Sequence, residues 1–539
     1  MDPVRRRASG QTVALMPSSR AALRSLVLLV VAVAAVAAGC SSDDGSSPST
    51  TSPGLPTAGS LVELRPLHVT GQRIVDDRGR EVLLRGANVN ALGEYHRADP
   101  AVAPTAPVTS EDWDAMAAHG FSVVRLIVSW SRLEPTRGHV DAAYVKRVKA
   151  AVSAANRRGI YVVLDMHQDA WGTSSATPPG TACPPGTEPA IGWDGAPAWA
   201  TITDGATTCR APGSQRESAP AVQHAFANFY ENTDGIADRL TAVWAALATE
   251  FSGTPGVAGY DLLNEPNAVA PLEQHQVAYS QWLGRTIDAI RAAETRAGTG
   301  RTPVFVEPLQ LYPLPSNAIL PEYVHDDDLV FAPHNYAESI DRILTIDQTF
   351  TVDQTGADSL HAALWIGEYG FWDTSPETLA TASRYAQQED ARVLGGAWWQ
   401  WRQTCGDPHS VGSPGATATA DQVHLITRAC PGHGDPRNDT DARYTTEFLR
   451  ILGRAYPRAA PGHITTLSSD PASGALTVTG TTAAIGRRLE VWLPKFERTR
   501  DLQPTTVVGL KGVTLQAVEG GRILTATTTA ADWTLAVGG

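Results

Sequence analysis

The amino-acid sequence predicts a (β/α)8 barrel followed by a small β-sandwich. Between about residues 60 and 455, eight short β-rich runs alternate with helical patterns in one block of roughly 400 residues, the signature of a wound α/β domain. No Gly-rich phosphate loop follows the first strand, as an open doubly wound sheet would usually require. From about 461 the texture changes to alternating Thr, Val and Leu with turn residues and no helical period, which suits a small sandwich.

The elements follow in order. Basic residues reach as far as Arg24, and "LVLLVVAVAAVAA" (26–38) is a short apolar segment before Gly39-Cys40. This is the build of an export signal and too short for a membrane span. Ala37-Ala38-Gly39-Cys40 resembles a bacterial lipobox and would make Cys40 a lipidated first residue of the mature chain. An ordinary cleaved signal with an incidental Cys is the alternative. Residues 1–40 are thus expected to be a lipoprotein-type signal peptide and 41–60 a Ser/Thr/Pro-rich tether. The barrel is expected over 61–457 and the sandwich over 461–539.

Within the barrel, strands are read at 81–89 (EVLLRGANV), 122–130 (SVVRLIVSW), 160–167 (IYVVLDMH), 257–265 (VAGYDLLNE), 303–308 (PVFVEP), 328–336 (DLVFAPHNY), 364–370 (LWIGEYG) and 395–401 (GGAWWQW). Helical patterns include SEDWDAMAAHG, AAYVKRVKAAVSAANRRG, GIADRLTAVWAALATEF, QVAYSQWLGRTIDAIRAAE and PETLATASRYAQQEDARV. A last helix is read at 442–456, and VDQTGADSLHAA is the candidate after strand six. The segment from Asp169 to about Ala225 is an unusually long loop holding Trp171, Trp193 and Trp199. These rings either line a binding slot or pack the loop down.

Composition narrows the partners. A formal net charge of −13 argues against nucleic acid, whose phosphates need clustered Lys and Arg. Setting Cys40 aside, Cys183, Cys209, Cys405 and Cys430 fall as two local pairs, so disulfides 183–209 and 405–430 are favoured among three connectivities. No CxxC or HExxH spacing suggests a metal, and no cofactor is expected. Asp326-Asp327-Asp328 reads as a solvated loop.

Active-site residues of such a barrel come from the C-terminal ends of strands. Those ends carry Arg125, His167 and Asp169, Asn264-Glu265, Glu307, His334 and Tyr336, Glu368, and Trp398, Trp399 and Trp401. Two carboxylates with Arg, His, Asn, Tyr and Trp are the chemistry of a retaining glycosidase. One Glu protonates the leaving oxygen while the other attacks the anomeric carbon. An adjacent Arg would keep the nucleophile ionised, and apolar or like-charge surroundings would raise the acid. Duller roles exist for each. Glu265 before Pro266 could open a helix, Glu368 could merely pair with Arg125, and Glu307 competes because FVEP also sets Glu-Pro after a strand.

The motifs LLNEP and IGEYG, with RGANVN, VVRL, DMHQD, HNY and GAWWQW in the same order, resemble glycoside hydrolase family 5, in the clan with its acid/base on strand four and its nucleophile on strand seven. The resemblance implies Glu265 as acid/base, Glu368 as nucleophile and Asn264 as a 2-hydroxyl contact. It implies Arg125, His334 and Tyr336 as orienting residues, His167 as a sugar contact and Trp399 as stacking platform, with Trp398 its rival; Glu307 has no comparable role. LDMHQDAWG, in which Asp169 joins His167 at the sugar, resembles the endoglycoceramidases within that family, which release oligosaccharide from ceramide. NVNALGEYH lacks the Lys those enzymes carry near that point. Glu94 could replace a polar contact there or form a surface salt bridge. The implied partner is a glycolipid or oligosaccharide, with a membrane reached through the anchor. The implied location is exported, at the cell surface or secreted. An endo-β-1,4-glucanase or β-mannanase would use the same carboxylates.

Overall fold

A computed structural model describes residues 55–97, 102–411, 424–427, 443–495 and 501–539. The export segment with Cys40, and Cys430 of the second cysteine pair, lie outside the described residues.

Eight strand positions close a parallel barrel. The strands are Arg85–Val89, Val123–Ser129, Tyr161–His167, Val257–Asp261, Val304–Val306, Leu329–Phe331, a split seventh strand of Ala363–Leu364 and Ile366–Tyr369, and Gly396–Trp398. Each pairs in parallel with its neighbour, the two halves of strand seven serve strands six and eight, and strand eight returns to strand one. Side-chain alternation sorts the residues. In strands two and three, Val124, Leu126, Val128, Val162, Leu164 and Met166 join the large core shared with the helices. Arg125, Asp165 and His167 therefore face inward. Strand four needs Gly259, because a Cβ there would stand 2.1 Å from the Phe305 ring.

The helices begin where their caps dictate. Thr109 and Thr345 form capping boxes with Asp112 and Gln348, and Asp141 and Ser375 cap Ala142–Asn156 and Pro376–Ala391. The long helices Ile236–Phe251 and Leu272–Ala297 pack beside strand four. Among the described residues no helix is long and apolar enough to cross a membrane.

Several expectations change. The segment 81–89 is two strands, not one: Arg80–Val82 leaves the barrel and pairs with Tyr456–Pro461. It joins Leu67–Thr70 and Arg73–Asp76 in a seven-stranded antiparallel sheet with Arg488–Pro494, Gly521–Thr528 and Leu510–Val518. A second sheet of His463–Ser469, Leu476–Thr481, Asp532–Gly538 and Gln503–Val508 completes two layers. Residues from before the barrel thus build part of the C-terminal sheets. The last helix is shorter than read, Thr446–Leu452, because the chain from Tyr456 is needed as a strand. The end of the tether is packed: Ala58 is 1% exposed and sits in the sandwich core.

Buried ion pairs join the parts. Arg454 bonds Glu389 (2.6 Å) and Asp390 (2.7 Å), and Arg85 reaches Asp390 at 2.9 Å. Those two cations outweigh burial and hold Asp390 below the usual carboxylate range. The acidic run 326–328 is not a solvated loop. Asp326 holds Arg291 at 2.8 Å and Asp328 accepts from the Val69 amide at 2.8 Å, leaving Asp327 alone exposed.

Candidate active site

Arg125 is fully buried inside the barrel and organises the site. Its Nε donates to Asp261 (2.8 Å), Nη1 to Glu368 (2.8 Å) and Asn88 (3.1 Å), and Nη2 to Glu307 (2.7 Å) and Asn264 (3.0 Å). Asp165 lies 3.0 Å from Nη2. One guanidinium among four carboxylates leaves excess negative charge, which low dielectric penalises. Burial and the neighbouring Glu307 and Asp165 push Asp261 well up despite Arg125. Asp165, Asp261 and Glu307 would suit a metal by residue type, but the Arg125 guanidinium occupies that position.

Glu368, in strand seven, accepts from Arg125 and, at 2.8 Å, from the Tyr336 hydroxyl. Burial still raises its carboxyl on balance, against the pull of His334 and Arg125. Glu265 follows strand four with φ +36°, a left-handed backbone rare outside Gly and concentrated at functional sites. Its strained amide donates to Glu307 at 2.8 Å. Glu307 is thus the clamp of the Glu265 turn, the role the sequence did not show. Pro266 does not open a helix: the next one starts at Leu272.

The carboxyl of Glu265 faces His334, whose Nδ1 is 2.7 Å from Oε1; Gln310 donates to Oε2 at 3.2 Å. Burial would raise Glu265, but the His334 hydrogen bond and charge, with Arg216, outweigh it and hold the carboxyl at about 2. The elevation expected for Glu265 as an acid is therefore not seen, because His334 and Arg216 face it. His334 is pushed well above the usual imidazole range. Burial opposes this, and Glu307, Glu368 and the Glu265 hydrogen bond prevail. Oxygens of Glu265 and Glu368 and a ring nitrogen of His334 lie within 4.8 Å of one another.

The remaining residues ring this pair. Asn264 is 1% exposed; its amide donates to the Gln168 carbonyl at 2.9 Å. His167 Nδ1 meets Asp165 at 2.7 Å, and its ring stacks on Trp399 at 5.2 Å and 13°. Trp398 turns away to Tyr369 and Phe448, which separates the two rivals. Asp169 bonds Arg216 and lies 3.3 Å from His409. Asp194, fully buried beside His167 and Asp169, has no side-chain hydrogen-bond partner among the described residues on either oxygen, and burial pushes its carboxyl well up. Glu94 is outside the site, paired with Arg132 at 3.3 Å on the surface.

The long excursion after strand three is closed by a Cys183–Cys209 disulfide with Cα atoms 5.7 Å apart. It is not structureless to Ala225, since helix Pro220–Tyr230 begins within it. Trp171 packs on Phe226 and Phe229, and Trp199 on Trp130. These two rings pack the loop against the barrel. Trp193 instead carries the Arg216 guanidinium 4.5 Å above its ring.

Asp165 was legible, two residues before His167 on the same strand face, and so was Asp261, a charge in the buried run GYDLL. Arg216, Gln310, Asp194 and His409 come from loops, where no period marks them.

The family model for cellulase (glycosyl hydrolase family 5) matches residues 75–404. Endoglycoceramidase I of Rhodococcus hoagii (strain 103S) is 31% identical over 287 residues, 50% of this chain and 52% of that protein. An endoglycoceramidase of Cyanea nozakii is 27% identical, over 40% of this chain and 44% of that one. The chain spans about half the length, or less, of these curated relatives. Among solved structures, an endogalactoceramidase is 40% identical with a TM-score of 0.77, covering 88% of this chain and 99% of that one. Endo-glycoceramidase II from Rhodococcus sp. in an isofagomine complex is 26% identical with a TM-score of 0.66, covering 86% and 98%. With more than half its residues matched by that family model, the chain belongs to glycosyl hydrolase family 5.

Proposed function

We propose that this protein is a retaining β-glycosidase that cleaves the bond between a sugar and a ceramide-type lipid aglycone. The observation that carries the chemistry is the approach of Glu265 and Glu368, with oxygens within 4.8 Å. Inverting enzymes need about 6.5–9.5 Å between carboxyl groups to seat a water, whereas a direct nucleophile needs about 5–5.5 Å. In the first step Glu368 attacks the anomeric carbon while Glu265 passes a proton to the leaving oxygen. In the second, Glu265 takes a proton from water, which displaces Glu368 from the same carbon.

The other residues take roles from their positions. Arg125 and Tyr336, each 2.8 Å from Glu368, aim the nucleophile and favour its ionised form. His334 holds Glu265. The second amide hydrogen of Asn264 is the donor for the sugar 2-hydroxyl. His167 and Asp169 serve the sugar, and Trp399 stacks beneath it.

Two facts support a lipid aglycone. The 40% identical structure is an endogalactoceramidase and the 31% identical relative an endoglycoceramidase. The loops beyond strands five and six, which follow Glu307 and His334, also expose Leu311 (74%), Leu314, Ile340 and Ile343 (86%). Leu311 adjoins Gln310, which touches the acid/base, so aliphatic surface lies near the leaving-group side. The test is incubation with glycosphingolipids and β-glucans. Intact oligosaccharide plus ceramide is expected; release of glucan fragments alone would assign a polysaccharide hydrolase. We further propose export through the 26–38 segment and anchoring at Cys40, which carries the enzyme to a membrane. Mass determination of the mature N-terminus tests this.

A further inference from the structure

The acid/base carboxylate of a glycosidase has to be an acid in one half-reaction and a base in the other. What surrounds Glu265 therefore decides which form is favoured. Five charged or titratable side chains face it: His334 at 2.7 Å, Arg216 at 3.4 Å, Glu368 and its partner Tyr336 across the cleft, and Asp169, which the same guanidinium bonds. A further neighbour, Gln310, is neutral.

Arg216 is the only one of these that no barrel strand or strand-end segment delivers. It lies in the turn Arg216–Ser218, seven residues beyond Cys209 of the disulfide. Its guanidinium is fixed from three sides. Nε bonds Glu217, Nη2 bonds Asp169, and the plane lies 4.5 Å over the Trp193 ring. Nη2 shares its remaining donor capacity with Glu265 Oε2, the oxygen that His334 leaves uncovered.

We propose that Arg216 is a positioning residue for the reaction, holding Glu265 in its base form from the leaving-group side and yielding that contact when an aglycone enters. The proposal rests on the glycosidase reading above. Arg216 and Gln310 both donate to Oε2, and the guanidinium charge favours the carboxylate, so protonation of Glu265 at Oε1 becomes easier when the longer, 3.4 Å contact opens. Glu307, Glu368 and the Glu265 hydrogen bond favour the protonated imidazole of His334 against burial, which puts a proton donor beside Oε1. When Arg216 swings wholly onto Asp169, a proton moves from His334 Nδ1 to Glu265 and is available to the leaving oxygen. After the aglycone departs, the returning guanidinium favours the carboxylate that the second step needs as base. The direction agrees with the lowered Glu265 carboxyl, to which Arg216 contributes after His334.

The test is the pH dependence of kcat/KM for Arg216→Gln and Arg216→Lys. The substrate is a β-glycosyl lipid with an unactivated alcohol aglycone, dispersed in detergent, in glucosyl and galactosyl forms. An opposite charge at this range moves a carboxyl by about 1–3 pH units. Removing it should carry the basic limb of R216Q upward by about one unit or more, while R216K keeps the limb and loses KM. Trp193→Leu, which frees the guanidinium without deleting its charge, should shift the limb the same way by less and serves if R216Q does not fold. A dinitrophenyl β-glycoside, whose leaving group needs no proton, should show no shift in any variant. An unmoved basic limb in both R216Q and W193L overturns the inference. If the unmodified enzyme hydrolyses none of these glycosides, the glycosidase reading itself has failed.

Discussion

Arg125 and Glu368 are 243 residues apart in sequence and 2.8 Å apart inside the barrel. The bond joins strand two to strand seven, across the closed sheet. It makes Glu368, the proposed nucleophile, part of a buried cluster in which the same cation also satisfies Asp261, Asp165 and Glu307.

That sharing sets the cost of losing the cation. Arg125→Met should destabilise the fold by about 3–5 kcal/mol, the usual penalty for stranding buried charge. Chemical denaturation should show the midpoint falling along with activity. An unchanged midpoint would mean that the cluster neutralises itself without the guanidinium.

The two carboxylates should separate by substrate. Glu368→Gln removes the nucleophile and should abolish turnover of every glycoside. Glu265→Gln should lose roughly 10²–10⁴-fold on unactivated alcohols and much less on dinitrophenyl glycosides. Steady-state rates on the two substrate types decide it; an equal loss on both would reassign Glu265.

Stability should report the same carboxylate. Glu265 sits at about 2 in the fold against 4.5 for the free group, lowered mainly by His334 against burial. A depressed group contributes stability above its unfolded pKa and loses it as pH falls through the folded value. The Tm advantage of the unmodified protein over E265Q should therefore be full above pH 4.5 and fade between 4.5 and about 2. A difference that did not vary with pH over that window would show that the His334 contact does not set the ionisation.

The disulfide braces the excursion that ends in Arg216. Replacing Cys183 and Cys209 by Ser should cost about 2–4 kcal/mol, the loop-closure range for a crosslink of this span. Differential scanning calorimetry measures the loss. Far-UV circular dichroism should stay unchanged, because the barrel strands do not pass through this loop.

The sequence carried its clearest information where periodicity is strong. Strands two and three are short β-rich runs between helical patterns, so Arg125 and His167 could be placed on barrel strands from the sequence. It was least legible where contacts are long-range. The residues 81–89 look like one β-run, yet Arg80–Val82 pairs with Tyr456–Pro461, nearly 380 positions later. Glu307 has no role in the family resemblance, and nothing in FVEP marks it as a partner of Glu265. Its bond to the Glu265 amide exists only because that residue's φ is +36°.

By itself, the sequence predicted the barrel class and the order of its strands, and its resemblance to glycoside hydrolase family 5 singled out Glu265 and Glu368. Side-chain alternation and strand-end placement are local properties that each segment encodes alone. Tertiary structure decided the ionisation of Glu265, the clamp role of Glu307 and the arrival of Arg216 on Trp193 and Asp169. Those depend on electrostatics and hydrogen bonds between segments far apart in the chain. Such distances acquire values only when the barrel closes and the disulfide loop folds over its mouth.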